Sequence, residues 1–325
     1  HRTSATAARR AGGTDRRESR QRRCPPGQAG VSAAGKGASR TSNATEPRAT
    51  AAMGSTRDAS GHDASGHRVG CMADPLWRGP AVALVTLFGD DGAVDARATG
   101  EHAARVVDAG MRAVLVAGST GEASTLTDDE RRELVAAVRE ACPGVPLVAG
   151  ASGEWWGQAA ARVRAAVAAG ADAVLVAPPR LGTDLVGYYA AVAEAAGAVP
   201  VLAYHYPPGA GGPVPVELLP GLPVSGIKDS SGDPVRLGHE LGLDWSGACY
   251  VGSAALLGTA GWLGATGAIV AAGNLVPSAC SSAWDRDATA QLEVIRAERE
   301  AKAGPGGLKA AIARRYGTSA YRRIR

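Results

Sequence analysis

The chain has 325 residues, which is enough for one large α/β domain with appendages or for two modest domains. Its formal net charge is +4 at pH 7, but residues 1–70 carry +8 on their own and the rest of the chain carries −4. No apolar run approaches the ~20 residues that span a bilayer. The five scattered cysteines form no Cys-x-x-Cys pair, so we expect a soluble cytoplasmic protein without a membrane, disulfide or zinc site.

Residues 1–75 are predicted to form a disordered tail. The segment is rich in Arg, Ala, Gly and Ser and has almost no large apolar residue, so it cannot bury enough surface to offset its chain entropy. Met72 opens MADPLWRGPAVALVT as an ordinary start would, so the tail is interpreted as a spacer or as non-native sequence. The alternative, an arm that binds nucleic acid, predicts salt-sensitive binding that is lost when residues 1–70 are deleted.

From residue 80 onward, short apolar runs alternate with Ala-rich amphipathic segments. Most of the runs are continuously apolar, which is typical of parallel strands covered on both faces. Eight such units predict a (β/α)8 TIM barrel; the alternative, a doubly wound sheet, lacks a G-x-G-x-x-G after its first strand. The predicted strands cover residues 81–86, 113–118, 145–150, 173–178, 199–205, 224–229, 248–252 and 267–272.

Start and stop signals mark several helices between and after these strands. Thr127 and Glu130 form a capping-box pattern, and a helix over residues 95–109 should stop at Gly110. The barrel is assigned to residues 76–276. Residues 277–325 are predicted to hold extra helices packed on the barrel, at 288–303 and 307–316, and to end in a solvated arginine cluster.

Lys228 is the strongest single indication of chemistry. The chain has 31 arginines but four lysines, and Lys228 is the only one in the predicted barrel, at the end of an apolar strand. Desolvation there would favour the neutral amine, which can attack a ketone to form a Schiff base. In the competing interpretation, the ammonium group of Lys228 reaches solvent at the rim of the barrel or pairs with Asp229.

Two further segments should meet Lys228 at the carboxyl end of the barrel. Tyr204 ends the neighbouring fifth strand and could transfer a proton, or it could be a barrel-mouth aromatic on water. His205 should face the helices as a packing residue. In GSTGEAST, Ser119 and Thr120 offer hydroxyls beside small residues whose amides suit a carboxylate, although a plain polar turn fits the pattern too.

These elements together resemble the dihydrodipicolinate synthase and N-acetylneuraminate lyase family of pyruvate-dependent class I aldolases. The resemblance rests on VTLFGDDGAVD, GSTGEASTLTDDER, the tyrosine-ended fifth strand, VSGIKDSSGD and GATGAIVAAGNLVP, and spans residues 79–317. It implies an imine on Lys228 with pyruvate or another 2-oxo acid, proton transfer by Tyr204, and a carboxylate site at Ser119, Thr120 and Gly121. The backbone of residues 267–270, with Ile269, would line the pocket.

The chain departs from the family pattern where the second substrate should bind. Residues 207–211 supply no arginine after the fifth strand, and Arg180-Leu181 stand where paired tyrosines are frequent. Arg180 is either a replacement anion-binding group or a surface residue. Leu87 replaces a proline in the first strand, and the C-terminal helical part looks shorter than usual.

We therefore expect an aldolase or lyase that makes or breaks a carbon–carbon bond of a 2-oxo or sugar acid, without metal or organic cofactor. Synthase-type condensation and a related dehydratase are alternatives, as is a non-catalytic 2-oxo-acid-binding barrel. The resemblance implies a homo-oligomer, either a dimer or a tetramer. We expect a small-molecule 2-oxo acid as partner and neither a membrane nor a nucleic acid.

Overall fold

A computed structural model describes residues 74–324, so most of the predicted tail lies outside the described residues. Eight parallel strands close into one barrel in chain order, which confirms the predicted fold class. The strands are shorter than the apolar runs. The second, for example, ends at Val116 because Ala117 turns into the left-handed region with φ 51°. The strands are β1 Gly79–Ala83, β2 Val114–Val116, β3 Leu147–Gly150, β4 Ala173–Val176, β5 Val201–His205, β6 Gly226–Asp229, β7 Ala248–Val251 and β8 Gly267–Val270.

The first two α-helices begin and end close to the local signals seen in the sequence. Asp95 caps α1, which is followed by Gly110 at φ 113°, and Thr127 and Glu130 form the predicted capping box at the start of α2. The α-helices in the described part are α1 Ala96–Asp108, α2 Asp128–Ala141, α3 Trp156–Ala168, α4 Leu185–Ala196, α5 Pro234–Leu241, α6 Leu257–Leu263, α7 Pro277–Trp284, α8 Ala288–Ala303 and α9 Gly307–Tyr316. Short 3₁₀ turns lie at Ser119–Gly121, Ala123–Thr125, Val216–Gly221, Ala254–Leu256 and Ala271–Asn274.

The strands separate two apolar cores. Alternate side chains fill the barrel interior, Leu115, Leu175 and Ile269 among them, and the others pack against the helices. Trp77, which precedes β1, closes the amino-terminal end of the barrel by stacking on Tyr250 with ring centroids 4.3 Å apart. The loops that follow the strands lie at the opposite, carboxyl end of the barrel.

Arg323 near the C-terminus is not the solvated arginine that the sequence suggested. Arg323 pairs with Glu130 at 2.5 Å and donates hydrogen bonds to the carbonyls of Gly92 and Thr125. Its partners lie about 200 positions earlier in the chain, so no local pattern could have revealed them. The expectation was therefore wrong for Arg323. No helix within residues 74–324 has both the length and the apolar character needed to cross a membrane.

Candidate active site

Lys228 and Tyr204 lie side by side near the carboxyl ends of β6 and β5. They are register partners, and Tyr250 of β7 is the partner of Lys228 on its other side. Side chains alternate along a strand, and Ile227 packs in the outer core, so Lys228 points into the barrel. Its Nζ lies 4.7 Å from the centroid of the Tyr204 ring.

The amine of Lys228 is buried, with 4% of the residue exposed. Desolvation lowers its pKa to about 7, which favours the neutral amine near neutral pH far more than in an exposed lysine. The competing partner, Asp229, faces the other way, pairs with Arg236 at 3.4 Å and accepts two hydrogen bonds from Ser231. Lys228 therefore neither escapes to the rim nor pairs with Asp229.

The phenol of Tyr204 is the proton-transfer candidate beside this amine. Burial raises the pKa of Tyr204, and the neighbouring hydroxyls of Ser230 and Ser119 oppose that rise. The phenol consequently holds its proton at neutral pH and can donate it. Tyr206 stacks on Tyr204 with ring centroids 6.2 Å apart, while the Nδ1 of His205 accepts a hydrogen bond from the Val214 amide.

The Ser119–Gly121 turn follows β2 at the same end of the barrel. The amides of Glu122 and Ala123 donate hydrogen bonds to the carbonyls of Ser119 and Gly118. The amides of Ser119 and Thr120 have no backbone acceptor in the described part of the chain. Glycine suits position 121, since a Cβ there would lie 3.0 Å from Thr86 Oγ1 and 3.1 Å from the Leu84 carbonyl, both tight contacts. Free amides beside two hydroxyls suit an anionic ligand such as a carboxylate.

A cavity of about 380 Å³ opens between this turn and the loops after β3, β4 and β5. Ser119 and Tyr204 both line it. Lys228 is not among the lining residues, but its Nζ lies 4.7 Å from the centroid of the Tyr204 ring, which does line the cavity. Ile269 is buried in the barrel interior, and neither it nor Thr120 nor Gly121 forms part of the cavity wall.

Three arginines line the cavity: Arg131, Arg162 and Arg180. The sequence analysis assigned no role to Arg131 or Arg162, and offered Arg180 either as an anion-binding group or as a surface residue. Arg131 donates to the Gly150 carbonyl at 3.1 Å, and Arg162 pairs with Asp128 at 2.8 Å. Burial and the neighbouring Arg162 lower the pKa of Arg131 to about 10. Arg180 is exposed, with its Nη1 3.3 Å from the Pro207 carbonyl. In the sequence, Arg131 and Arg162 look like ordinary charged residues on the polar faces of two helices, so no local pattern indicates that both lie at the cavity.

No group of three or more His, Cys, Asp or Glu side chains within residues 74–324 is placed to hold a metal ion.

The chain is similar in sequence and in fold to known proteins. The sequence model of the Dihydrodipicolinate synthetase family matches residues 77–299. An uncharacterised DapA-like lyase of Halobacterium salinarum is 33% identical over 259 residues, which cover 74% of this chain and 85% of that protein. The 4-hydroxy-tetrahydrodipicolinate synthase of Synechococcus sp. (strain WH7803) is 41% identical over 132 residues, or 38% of this chain, and the match spans 43% of that protein.

A solved structure shares the fold. The crystal structure of a putative dihydrodipicolinate synthetase from Pseudomonas aeruginosa superposes with a TM-score of 0.67 at 28% identity, covering 76% of this chain and 93% of the other.

Proposed function

Since the chain belongs to the dihydrodipicolinate synthetase family, we propose that it is a class I aldolase or lyase that acts on pyruvate or a 2-oxo sugar acid through an imine on Lys228. One observation is the main support for this proposal. A buried amine whose pKa falls to about 7 lies against a buried phenol that keeps its proton. That pairing is what imine chemistry at neutral pH requires.

In the proposed reaction, the neutral amine of Lys228 attacks the ketone carbon of the 2-oxo acid. Protonation of the carbinolamine oxygen, with Tyr204 as the proton donor, releases water and leaves a protonated imine. The imine accepts the electron pair when the C3–C4 bond breaks, and the 4-hydroxyl proton passes back to the Tyr204 phenolate. The resulting enamine then takes a proton at C3, and water hydrolyses the imine to release pyruvate and the free amine of Lys228. In the synthetic direction the same steps run in reverse.

The substrate carboxylate is proposed to bind at the Ser119–Gly121 turn, where the free amides of Ser119 and Thr120 and the two hydroxyls can donate to it. The backbone near Ile269 is proposed to border the reacting carbons from the barrel interior. This keeps the carboxylate at the cavity and directs the ketone carbon toward Lys228.

The second substrate is proposed to carry an anionic group that binds at Arg180. Residues 207–211 contain no arginine, and Arg180, which lines the cavity, donates a hydrogen bond to the Pro207 carbonyl of this segment. A guanidinium there suits a carboxylate or phosphate, with which it forms charge-assisted hydrogen bonds.

Arg180→Met is expected to raise the KM for an anionic aldehyde or sugar acid by roughly tenfold and to leave the KM for an uncharged aldehyde within about twofold. The matched control is Arg164→Met, because Arg164 is an exposed arginine of α3 that does not line the cavity. Steady-state kinetics with both substrate types measure the difference. Equal effects on both types, or no effect on either, would make Arg180 an ordinary surface residue.

A panel of 2-oxo sugar acids, assayed for pyruvate release, distinguishes the proposed lyase from its alternatives. Pyruvate release from a member of the panel supports an aldolase. Loss of water with the carbon chain intact supports the dehydratase, and condensation of pyruvate with an amino aldehyde supports the synthase-type reaction. Thermal stabilisation by pyruvate without any product would support the non-catalytic barrel instead.

We propose further that the protein works in the cytoplasm as a homo-oligomer. The scattered cysteines and the family resemblance support this. Exposed apolar side chains beside the cavity, Trp155, Trp156 and Leu181, are consistent with association between copies.

A further inference from the structure

The residue after the carboxylate-binding turn, Glu122, is buried and anchored from a distant part of the chain. One carboxylate oxygen lies 2.5 Å from the Nζ of Lys309 in α9, and the other accepts a 2.8 Å hydrogen bond from the amide of Ile324. Lys309 also donates to the Tyr321 carbonyl and lies 3.9 Å from the centroid of the Phe88 ring. A helix and the C-terminal segment 318–324 thus converge on one side chain.

The backbone at Glu122 explains why this anchoring matters to the turn. Glu122 is left-handed, with φ 56° and ψ 40°, and Ala117 at the other end of the turn has φ 51°. Such conformations are unfavourable for a residue with a side chain, so they persist only where surrounding contacts hold them. The two bonds to the Glu122 carboxylate, together with the hydrogen bond from Thr86 Oγ1 to the Gly121 carbonyl at 2.8 Å, supply those contacts.

The C-terminal segment is itself fixed near the cavity. Arg323 binds Glu130 and the carbonyls of Gly92 and Thr125, and the next residue, Ile324, lines the cavity that contains Ser119 and Tyr204. The Arg323 hydrogen bond is the chief cause that lowers the pKa of Glu130 to about 2. The segment therefore stays tied to the loops of the barrel mouth across the neutral pH range.

We propose that Glu122 and Lys309 are positioning residues that, with the segment 318–324, hold the Ser119–Gly121 turn in the shape that binds the carboxylate of the 2-oxo acid. The proposal rests on the proposed function, because it assigns the turn to that carboxylate. Neither residue needs to touch substrate. A purely structural role would instead lower the stability of the fold without changing binding at the turn.

Glu122→Gln tests the proposal because glutamine keeps an acceptor for the Ile324 amide but loses the ion pair with Lys309. The matched control is Asp172→Asn. Asp172 likewise accepts from one cation, Arg139, and from one backbone amide, that of Leu147 at 2.8 Å. It precedes β4 and so lies at the opposite end of the barrel. Arg323→Met, which removes the other attachment of the segment, is the second variant if Glu122→Gln does not fold.

Two measurements are made on each folded variant and on the parent chain. The first is the pyruvate concentration that half-saturates borohydride trapping, for which Glu122→Gln should show a rise of about tenfold with the maximal trapping rate within about threefold. The second is amide hydrogen exchange of residues 117–126, which should become faster in Glu122→Gln. Asp172→Asn should change neither quantity.

The proposal is overturned if Glu122→Gln behaves like Asp172→Asn, or if it lowers the maximal trapping rate while half-saturation and exchange stay unchanged. If the parent chain itself forms no adduct with pyruvate, the proposed function fails. Hydrogen exchange at residues 117–126 then decides on its own whether Glu122 positions the turn.

Discussion

Replacing Lys228 with methionine is expected to lower kcat/KM by about 10⁴-fold or more, since no imine can form without the amine. Methionine is unbranched and apolar and fits the same buried position inside the barrel. The activity to be followed is pyruvate release from the best substrate of the 2-oxo acid panel. Lys302→Met is the control, because Lys302 is 71% exposed on α8 and pairs only with Glu298 among the described residues.

The same substitution should stabilise the fold, and the gain should depend on pH. Burial lowers the pKa of Lys228 to about 7 from an ordinary value of 10.5, so between these values the unfolded chain binds a proton that the folded chain releases. Stability of the parent therefore rises with pH from about 7 to 10.5, and the penalty of the buried ammonium is fully present below pH 7. Lys228→Met lacks that penalty.

Urea unfolding at pH 6, 8 and 10 measures this effect. The free energy of unfolding of Lys228→Met should exceed that of the parent most at pH 6, and the difference should shrink as the pH approaches 10. Lys302→Met should show no such trend. A difference that stays constant with pH, or a variant less stable than the parent at pH 6, would mean that the amine is not desolvated.

Tyr204→Phe should lower kcat by about 10²- to 10⁴-fold, the usual loss when a positioned proton donor is removed. Phenylalanine preserves the ring against which the Lys228 amine lies, so the effect belongs to the hydroxyl. Borohydride should still trap an adduct, but more slowly than in the parent, because the carbinolamine must then lose water without its proton donor.

Tyr206→Phe is the matched control for this prediction. Tyr206 stacks on Tyr204 and follows it by two residues, yet it belongs to the loop after β5. Its substitution should change kcat by no more than about threefold. Equal losses in the two variants would mean that the effect is not specific to the Tyr204 hydroxyl, and an unchanged kcat in Tyr204→Phe would remove the phenol from the mechanism.

The parts of the site that follow from strand periodicity could be predicted from sequence. Continuous apolar runs indicated parallel strands, and alternation along the fifth strand separated Tyr204, which lies in the barrel interior, from His205. Register between consecutive strands then brought Tyr204 beside Lys228. The capping box of Thr127 and Glu130 was equally local, since its two members are three residues apart.

The parts that depend on distant contacts could not be predicted in this way. Glu122 and Lys309 are 187 positions apart, and Arg323 reaches Glu130 across 193. Their charges look like ordinary surface charge until the fold brings them together. Arg131 and Arg162 likewise lie on the polar faces of α2 and α3, and only the packing of these helices directs them to the cavity.

Borohydride reduction in the presence of pyruvate, followed by peptide mass spectrometry, tests the proposed imine most directly. The expected result is a reduced pyruvyl adduct on the peptide that contains Lys228, absent from Lys228→Met and unchanged in Lys302→Met. A folded parent chain that carries no adduct, or an adduct on another lysine, would contradict the account.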